Sequence, residues 1–226
     1  MTQVHILVEG PTEETFINLV LKPHLESLGI YVTAISITTN YTESSAPNAK
    51  GGYVTYAKTK RQIERLLRNT SLALVTTMFD YFNLAKDFPG QDALPKGTCY
   101  QKVEHLEEAL TQDIGGRRSL PHFLPYIELH EFEAILFSSP KHIVEEIPGL
   151  DSKIEKKLMA VKKPYNTPEE INDTNPPSYR LKNIIIGYQK VNYGSRIASA
   201  IGLEQIRTEC PHFDSWLEEL EAPNES

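Results

Sequence analysis

The stretch that decides the fold is residues 4–14, Val-His-Ile-Leu-Val-Glu-Gly-Pro-Thr-Glu-Glu. Its first five residues form an apolar run typical of a buried strand, and the carboxylate of Glu9 follows at once. A Gly-Pro turn comes next, and then the start of a helix that carries Glu13 and Glu14. Carboxylates that crowd at the end of a strand repel one another, and a bound divalent cation commonly offsets that repulsion. The stretch therefore predicts metal-dependent phosphate chemistry.

Outward from this stretch, the hydrophobic pattern predicts a strand followed by a helix four times over. The strands are predicted at 3–8, 31–37, 71–79 and 123–129, and the helices at 12–28, with a kink or break at Pro23, at 54–69, at 100–112 and from 131 onward. A polar loop is predicted over 38–52, and its Lys50-Gly51-Gly52 segment is either a flexible turn or a phosphate contact. This order predicts an α/β fold with a mostly parallel, four-stranded sheet flanked by helices.

The chain changes character near residue 140, where short helical pieces alternate with prolines. We therefore predict an α/β core over residues 1–139 and a helical C-terminal part over residues 140–226 that packs on the core. The last helix carries Trp216, Leu217 and Leu220, which serve either as core residues or as a contact surface for a partner.

Composition narrows the class of protein. The chain has 226 residues, of which 40% are hydrophobic and 23% charged, as expected for a globular protein. Its net charge of −7 argues against non-specific adhesion to nucleic acid but does not exclude a nuclease, because active-site acids add negative charge. Two distant cysteines, no signal peptide and no apolar run of membrane-spanning length predict a cytoplasmic protein that does not bind membranes.

Acidic residues follow three of the four predicted strands. Glu9 ends the first strand and Asp80 the third, and the fourth runs into Glu131 and Glu133. In open α/β sheets ligands bind beyond the carboxyl ends of the strands, so we expect these side chains to share one site. Such a set suits a hard cation, Mg²⁺ or Mn²⁺.

Each of these acids also has an ordinary structural explanation. Glu13 could complement the dipole of its helix, Asp80 could form a turn, and Glu131 and Glu133 could begin a solvated helix. His130 could bind a metal, act as an acid or base, or form a local hydrogen bond. The convergence of several strand ends favours the functional interpretation.

The motifs also resemble a known family. Residues 9–13, Glu-Gly-Pro-Thr-Glu, look like the Glu-Gly-x-x-Glu opening of Toprim (topoisomerase–primase) domains, and Asp80 resembles the first Asp of the Toprim Asp-x-Asp motif. From residue 4 to about residue 217 the chain is similar to an uncharacterised bacterial family of Toprim-like proteins. The segments that carry this similarity are residues 79–82, Phe-Asp-Tyr-Phe, residues 86–90, Lys-Asp-Phe-Pro-Gly, residues 129–134, Leu-His-Glu-Phe-Glu-Ala, and the Cys-Pro-His-Phe-Asp-x-Trp-Leu segment that begins at Cys210.

The resemblance implies a Toprim-like fold, metal-dependent phosphodiester chemistry and an ABC-type ATPase partner in phage or foreign-DNA defence. One position departs from the Toprim pattern, because Phe82 stands where the second Asp is expected. The second cation must then be held or oriented by Glu131 and Glu133, with Asp87 a weaker candidate.

The predicted site therefore has two parts, one for each cation, and the second part is the Glu131 and Glu133 pair described above. Glu9 and Asp80, helped by Glu13, hold one cation, and Lys86 is the first candidate to neutralise a bound phosphate. Arg180 and Lys182 are the other candidates for that role.

Three functions fit these residues. The first is a Mg²⁺- or Mn²⁺-dependent nuclease that acts on nucleic acid, with DNA favoured over RNA. The second is a non-catalytic interaction subunit of an ATPase complex, which the loss of an acid at Phe82 would suit. The third is a phosphohydrolase that acts on a small phosphate ester. The oligomeric state stays open, with a homodimer as one option.

Overall fold

A parallel sheet forms the centre of the computed structural model, which describes residues 2–37, 55–69, 71–115, 121–171 and 175–222. The loop predicted over residues 38–52, with its Lys50-Gly51-Gly52 segment, lies outside the described residues. The strands are β1 (Thr2–Val8), β2 (Ile30–Ser36), β3 (Leu74–Asp80), β4 (Phe123–Leu124) and β5 (Ile127–Glu128). They are ordered β2-β1-β3-β4, β5 also pairs with β3, and every pairing is parallel.

The predicted α/β architecture, a mostly parallel sheet flanked by helices, is confirmed. The single fourth strand predicted over residues 123–129 is wrong, because the structure has the two short strands β4 and β5 in its place. Between them, the Thr77 hydroxyl donates to the Tyr126 carbonyl at 2.9 Å and accepts from the Tyr126 N–H at 2.9 Å. The Thr77 hydroxyl thus takes up the Tyr126 N–H, while the Tyr126 carbonyl also accepts from the Phe79 N–H at 3.4 Å, and the regular ladder is interrupted at that point.

Helices cover both faces of the sheet. They are α1 (Pro11–Phe16), α2 (Lys22–Ser27), α3 (Tyr56–Leu67), α4 (Cys99–Gly115), α5 (Glu133–Leu136), α6 (Pro140–Glu146), α7 (Ser152–Lys162), α8 (Pro177–Ile184), α9 (Lys190–Ile201), α10 (Leu203–Glu209) and α11 (Pro211–Glu221). Short 3₁₀ turns lie at Tyr81–Asn83, Gln91–Ala93 and Pro168–Glu170. Among the described residues, no helix is long and apolar enough to cross a membrane.

The break considered at Pro23 does not occur, because the chain stays helical through this proline. A π-helical segment, Ile17–Leu21, joins α1 to α2 directly before it. In a regular α-helix the proline ring clashes with the carbonyl four residues earlier. The wider π turn gives the ring room, so that the helix passes Pro23 without ending.

Two apolar layers hold the sheet in place. One joins alternate residues of β1, such as Val4 and Ile6, to α1, α9 and α11. The other joins Leu7 and Phe79 to α3 and α4 on the opposite face. The predicted division of the chain at residue 139 stays a prediction.

Candidate active site

The ends of two neighbouring strands bring Glu9 and Asp80 together. Glu9 directly follows β1, Asp80 ends β3, and Val8 pairs with Met78 in the parallel register. Glu9 Oε1 accepts a hydrogen bond from the Asp80 backbone N–H at 3.1 Å. The two carboxylates therefore lie at one edge of the sheet, although they are far apart in the sequence.

Two more acids complete a group that we call the acid cluster, which consists of Glu9, Glu13, Asp80 and Glu133. Glu13 lies in the first turn of α1 and is 4% exposed, and Glu133 begins α5 and is 1% exposed. The Phe132 N–H donates to Asp80 Oδ1 at 2.9 Å and so fixes the start of α5 against the end of β3.

A lysine that the sequence analysis did not single out lies at the centre of the acid cluster. Lys190 Nζ is 3.0 Å from Glu13 Oε1, 3.3 Å from Asp80 Oδ2 and 3.3 Å from Glu133 Oε2. It also lies 5.8 Å from the centroid of the Phe132 ring, within the range of a cation–π contact. One ammonium group therefore pairs with three carboxylates that come from three separate segments of the chain.

A glycine one turn further along α9 explains how Lys190 reaches the acids. A Cβ atom on Gly194 would lie 3.1 Å from Phe132 Cε1 and 3.3 Å from Thr12 Cγ2. Glycine inside a helix is about 0.5–1 kcal/mol less favourable than alanine, so its presence here needs a reason. The reason is close packing, because at Gly194 α9 lies against Phe132 and against Thr12 of α1.

The electrostatics of the site follow from burial. Burial, together with the charges of Asp80 and Glu13, raises the pKa of Glu9 to about 8. Burial also raises the pKa of Asp80 to about 6 and that of Glu133 to about 7, although the Lys190 charge opposes both shifts. Burial alone would lower the pKa of Lys190, but the charges of Asp80, Glu133 and Glu13 outweigh it and raise that pKa.

Several carboxylate oxygens of the acid cluster have few hydrogen-bond donors. Among the described residues, and apart from the contacts with Lys190, no donor reaches either oxygen of Glu133 or Oε1 of Glu13. Buried carboxylates that few donors satisfy are the ligand type that Mg²⁺ and Mn²⁺ take, so the residues fit such an ion in kind. As the described side chains stand, however, no three of the Asp, Glu, His and Cys residues are placed to hold one metal ion. The ammonium of Lys190 lies between them instead.

Two of the predicted site residues, Glu131 and Lys86, are not among the residues whose contacts define the acid cluster. Glu131 points toward the start of α8, where its carboxylate accepts from the Ser178 N–H at 3.0 Å and from the Ser178 hydroxyl at 3.1 Å. Of the predicted pair, Glu133 therefore joins the cluster and Glu131 does not. Lys86 is an exposed residue of the loop after β3, and the ammonium group among the acids is that of Lys190.

Two further polar residues are buried beside the site. Glu128 is 1% exposed, and burial, with the charges of Glu169 and Asp80, raises its pKa well above the usual range. His130 is 2% exposed, and burial, with the charge of Lys102, lowers its pKa to about 3. Within the described part of the chain neither ring nitrogen of His130 has a hydrogen-bond partner, so the local hydrogen bond considered for it is not formed.

Comparison with known proteins gives a family. The family described as "Domain of unknown function (DUF4276)" matches residues 8–221, and the chain therefore belongs to it. No curated protein matches the chain.

The chain is also similar to solved structures of the C-terminal region of the OLD protein from Xanthomonas campestris pv. campestris. The structure phased with mercury is 16% identical, has a TM-score of 0.38, and the similarity covers 97% of this chain and 98% of that chain. The structure phased with platinum is 16% identical, has a TM-score of 0.39, and the similarity covers 96% and 95%. At this identity and TM-score, neither the activity nor the partners of that protein transfer to this chain.

Proposed function

We propose that this protein is a Toprim-type nuclease that hydrolyses phosphodiester bonds in nucleic acid, with Mg²⁺ or Mn²⁺ as its cofactor. The observation that carries the proposal is the acid cluster, in which four carboxylates from separate segments meet at the carboxyl edge of a parallel sheet. This is the edge where open α/β sheets bind their ligands. A bound divalent ion would activate a water molecule and offset the charge of the phosphate.

The side chains of the acid cluster would hold that ion. Asp80 is oriented for the purpose, because Phe132 N–H donates to its Oδ1 at 2.9 Å and the Asn83 side-chain amide donates to its Oδ2 at 3.2 Å. Burial and the neighbouring acids raise the pKa of Glu9 to about 8, and a bound cation would favour its charged form. Glu131, whose carboxylate accepts hydrogen bonds from Ser178, stays a candidate ligand for a second cation.

The substrate and partner are proposed from the motifs of the chain. We favour DNA as the substrate, with Lys86, Arg180 or Lys182 neutralising its phosphate. We further propose that the protein works in the cytoplasm with an ABC-type ATPase in defence against phage or foreign DNA. The Toprim-like motifs around Glu9 and Asp80 support these statements.

One observation favours a second function, that of a non-catalytic subunit. Lys190 already pairs with three of the four acids, and the described side chains offer no ready group of three ligands. If that arrangement persists when Mn²⁺ is added, the acids serve only to fix α9 on the core. Titration calorimetry with Mn²⁺ separates the two functions, because the nuclease must bind the ion and the non-catalytic subunit must not.

The test of the nuclease is a plasmid cleavage assay in Mn²⁺ or Mg²⁺. We expect the wild type to nick supercoiled DNA, and Glu9→Gln and Asp80→Asn to lose about 100-fold or more of that activity, because even indirect support of a metal ligand is worth about 10–100-fold. The matched control is Glu145→Gln, which removes an acid that pairs with Lys141 on the exposed face of α6 and should leave activity unchanged. Equal activity in the wild type, Glu9→Gln and Asp80→Asn would refute the proposal.

A further inference from the structure

We propose that Lys190 is a built-in counter-ion that a divalent cation must displace from the acid cluster, so that this lysine sets how much metal ion the protein needs. The inference rests on the proposed function in one respect, namely that the acid cluster is where the metal binds. It goes beyond that function because it concerns the residue that competes with the metal.

The geometry makes the lysine and a metal ion mutually exclusive. Lys190 Nζ lies 3.0–3.3 Å from one oxygen each of Glu13, Asp80 and Glu133. A hard divalent ion takes carboxylate oxygens at about 2.0–2.6 Å, so an ion bound by the same three oxygens would occupy the space of the ammonium group. The ion carries twice the charge of the ammonium and can therefore replace it.

The surroundings of Lys190 allow it to leave. It is the first residue of α9, where the helix dipole disfavours a cation, so the acids and the Phe132 ring, and not the helix, hold the ammonium in place. Its side chain is 28% exposed, which leaves a route to solvent. The turn before it is also exposed, with Ile186 99% exposed and Gly187 at a φ of 84°.

A purely structural salt bridge would be built differently. Lysine is a flexible chain that ends in a point charge, whereas arginine binds carboxylates in a fixed, two-pronged geometry. Among the described residues, the ammonium of Lys190 is the one donor near the Glu133 carboxylate, at 3.3 Å from Oε2, so the lysine balances the charge of the site but leaves Oε1 unsatisfied. Unsatisfied oxygens remain available to a stronger cation.

The first experiment measures the affinity for Mn²⁺ by titration calorimetry, with electron paramagnetic resonance to count the free ion. We expect Lys190→Met to bind Mn²⁺ about tenfold more tightly or better than the wild type, because a unit charge next to three carboxylates is a strong competitor. Lys190→Arg, which keeps the charge, should bind Mn²⁺ no more tightly than the wild type. The matched control is Lys157→Met, an exposed lysine of α7, which should bind Mn²⁺ as the wild type does.

The second experiment uses the wild type, so it does not depend on the folding of a variant. Lysine side chains are labelled with an amine-reactive reagent, and labelling at Lys190 and Lys157 is quantified by mass spectrometry with and without saturating Mn²⁺. We expect Mn²⁺ to increase labelling of Lys190 several-fold and to leave labelling of Lys157 unchanged, because the displaced ammonium moves out of the acid cluster.

The outcomes separate this inference from the proposed function. Tighter binding by Lys190→Met, with increased labelling of Lys190, supports displacement even if no nuclease activity is found. Equal or weaker Mn²⁺ binding by Lys190→Met overturns it, as does unchanged labelling of Lys190 in a wild type that is saturated with Mn²⁺. If neither protein binds Mn²⁺, the inference and the metal site both fail.

Discussion

Two buried acids, Glu169 and Glu133, are each 1% exposed, yet the protein treats them in opposite ways. The Glu169 carboxylate accepts from the His212 N–H at 3.0 Å, the Phe213 N–H at 2.9 Å and the Tyr100 hydroxyl at 3.2 Å. Glu133 Oε2 lies 3.3 Å from the ammonium of Lys190, and among the described residues no other donor contacts either oxygen of Glu133. The oxygens of Glu169 are thus satisfied within the fold, whereas those of Glu133 remain largely unsatisfied.

The role of Glu169 follows from its position. The backbone N–H groups of His212 and Phe213 belong to the first turn of α11, where helix donors have no partner within the helix. A carboxylate at that end also meets the positive pole of the helix dipole. Burial raises the pKa of Glu169, while the N–H groups of His212 and Phe213 oppose the shift. Glu169 thereby joins the 3₁₀ turn Pro168–Glu170 to α11.

The comparison first predicts a large loss of stability at the satisfied acid. Glu169→Gln should lower the free energy of unfolding by about 2–4 kcal/mol, because the amide NH₂ group cannot accept and leaves a buried donor without a partner. Urea denaturation at neutral pH measures the loss, and Mn²⁺ affinity should stay unchanged. A loss of less than about 1 kcal/mol would mean that Glu169 is not a structural acid.

The same substitution at Glu133, the unsatisfied acid, should raise the free energy of unfolding instead of lowering it. Because the folded-state pKa of Glu133 is raised to about 7 from 4.5, the folded protein holds a proton that the unfolded chain releases. The contribution of Glu133 to stability therefore falls as the pH rises from about 4.5 to about 7, and Gln at this position removes that fall. Glu133→Gln should be about 1–3 kcal/mol more stable than the wild type near pH 8.

The measurement for Glu133→Gln is urea denaturation at several pH values between about 4.5 and 8. The difference between the variant and the wild type should be near zero at the acid end and grow with pH. Parallel curves would contradict the prediction, since they would show that Glu133 titrates alike in the folded and unfolded chain.

The smallest change in the free energy of unfolding is expected for Glu128→Gln. Burial raises the pKa of Glu128 well above its usual range, which favours the neutral acid over the carboxylate in the folded protein. Glu128→Gln therefore replaces one neutral group with another of the same shape and should change the free energy of unfolding by less than about 1 kcal/mol. A variant that loses much more, measured in the same urea titration, would show that the charged carboxylate of Glu128 is needed.

The sequence was sufficient to predict the parallel sheet and the meeting of Glu9 with Asp80. Both residues follow apolar runs, and parallel strands place their carboxyl ends at one edge. Glu131 and Glu133 could not be told apart in this way, because the irregular turn before α5 decides which side chain points inward. The Phe132 N–H, bound to Asp80, fixes that turn, and no sequence periodicity records it.

No hydrophobic periodicity or motif in the sequence predicts that Lys190 lies in the acid cluster. It lies 110 residues after Asp80 in the sequence, in a region of short helices separated by prolines. Its place depends on the packing of α9 against α1, which Gly194 permits. The one signal that the sequence offers is a glycine four residues after a lysine, within the helical C-terminal part predicted over residues 140–226.

The most direct test of the central claim, that the acid cluster binds a divalent cation, is a crystal structure of the protein soaked in Mn²⁺ with anomalous data. We expect an anomalous peak about 2.1 Å from an Asp80 oxygen and from at least one of Glu9, Glu13 and Glu133, with Lys190 moved away. A map with no peak at saturating Mn²⁺, and with Lys190 Nζ still 3.0 Å from Glu13 Oε1, would contradict the claim.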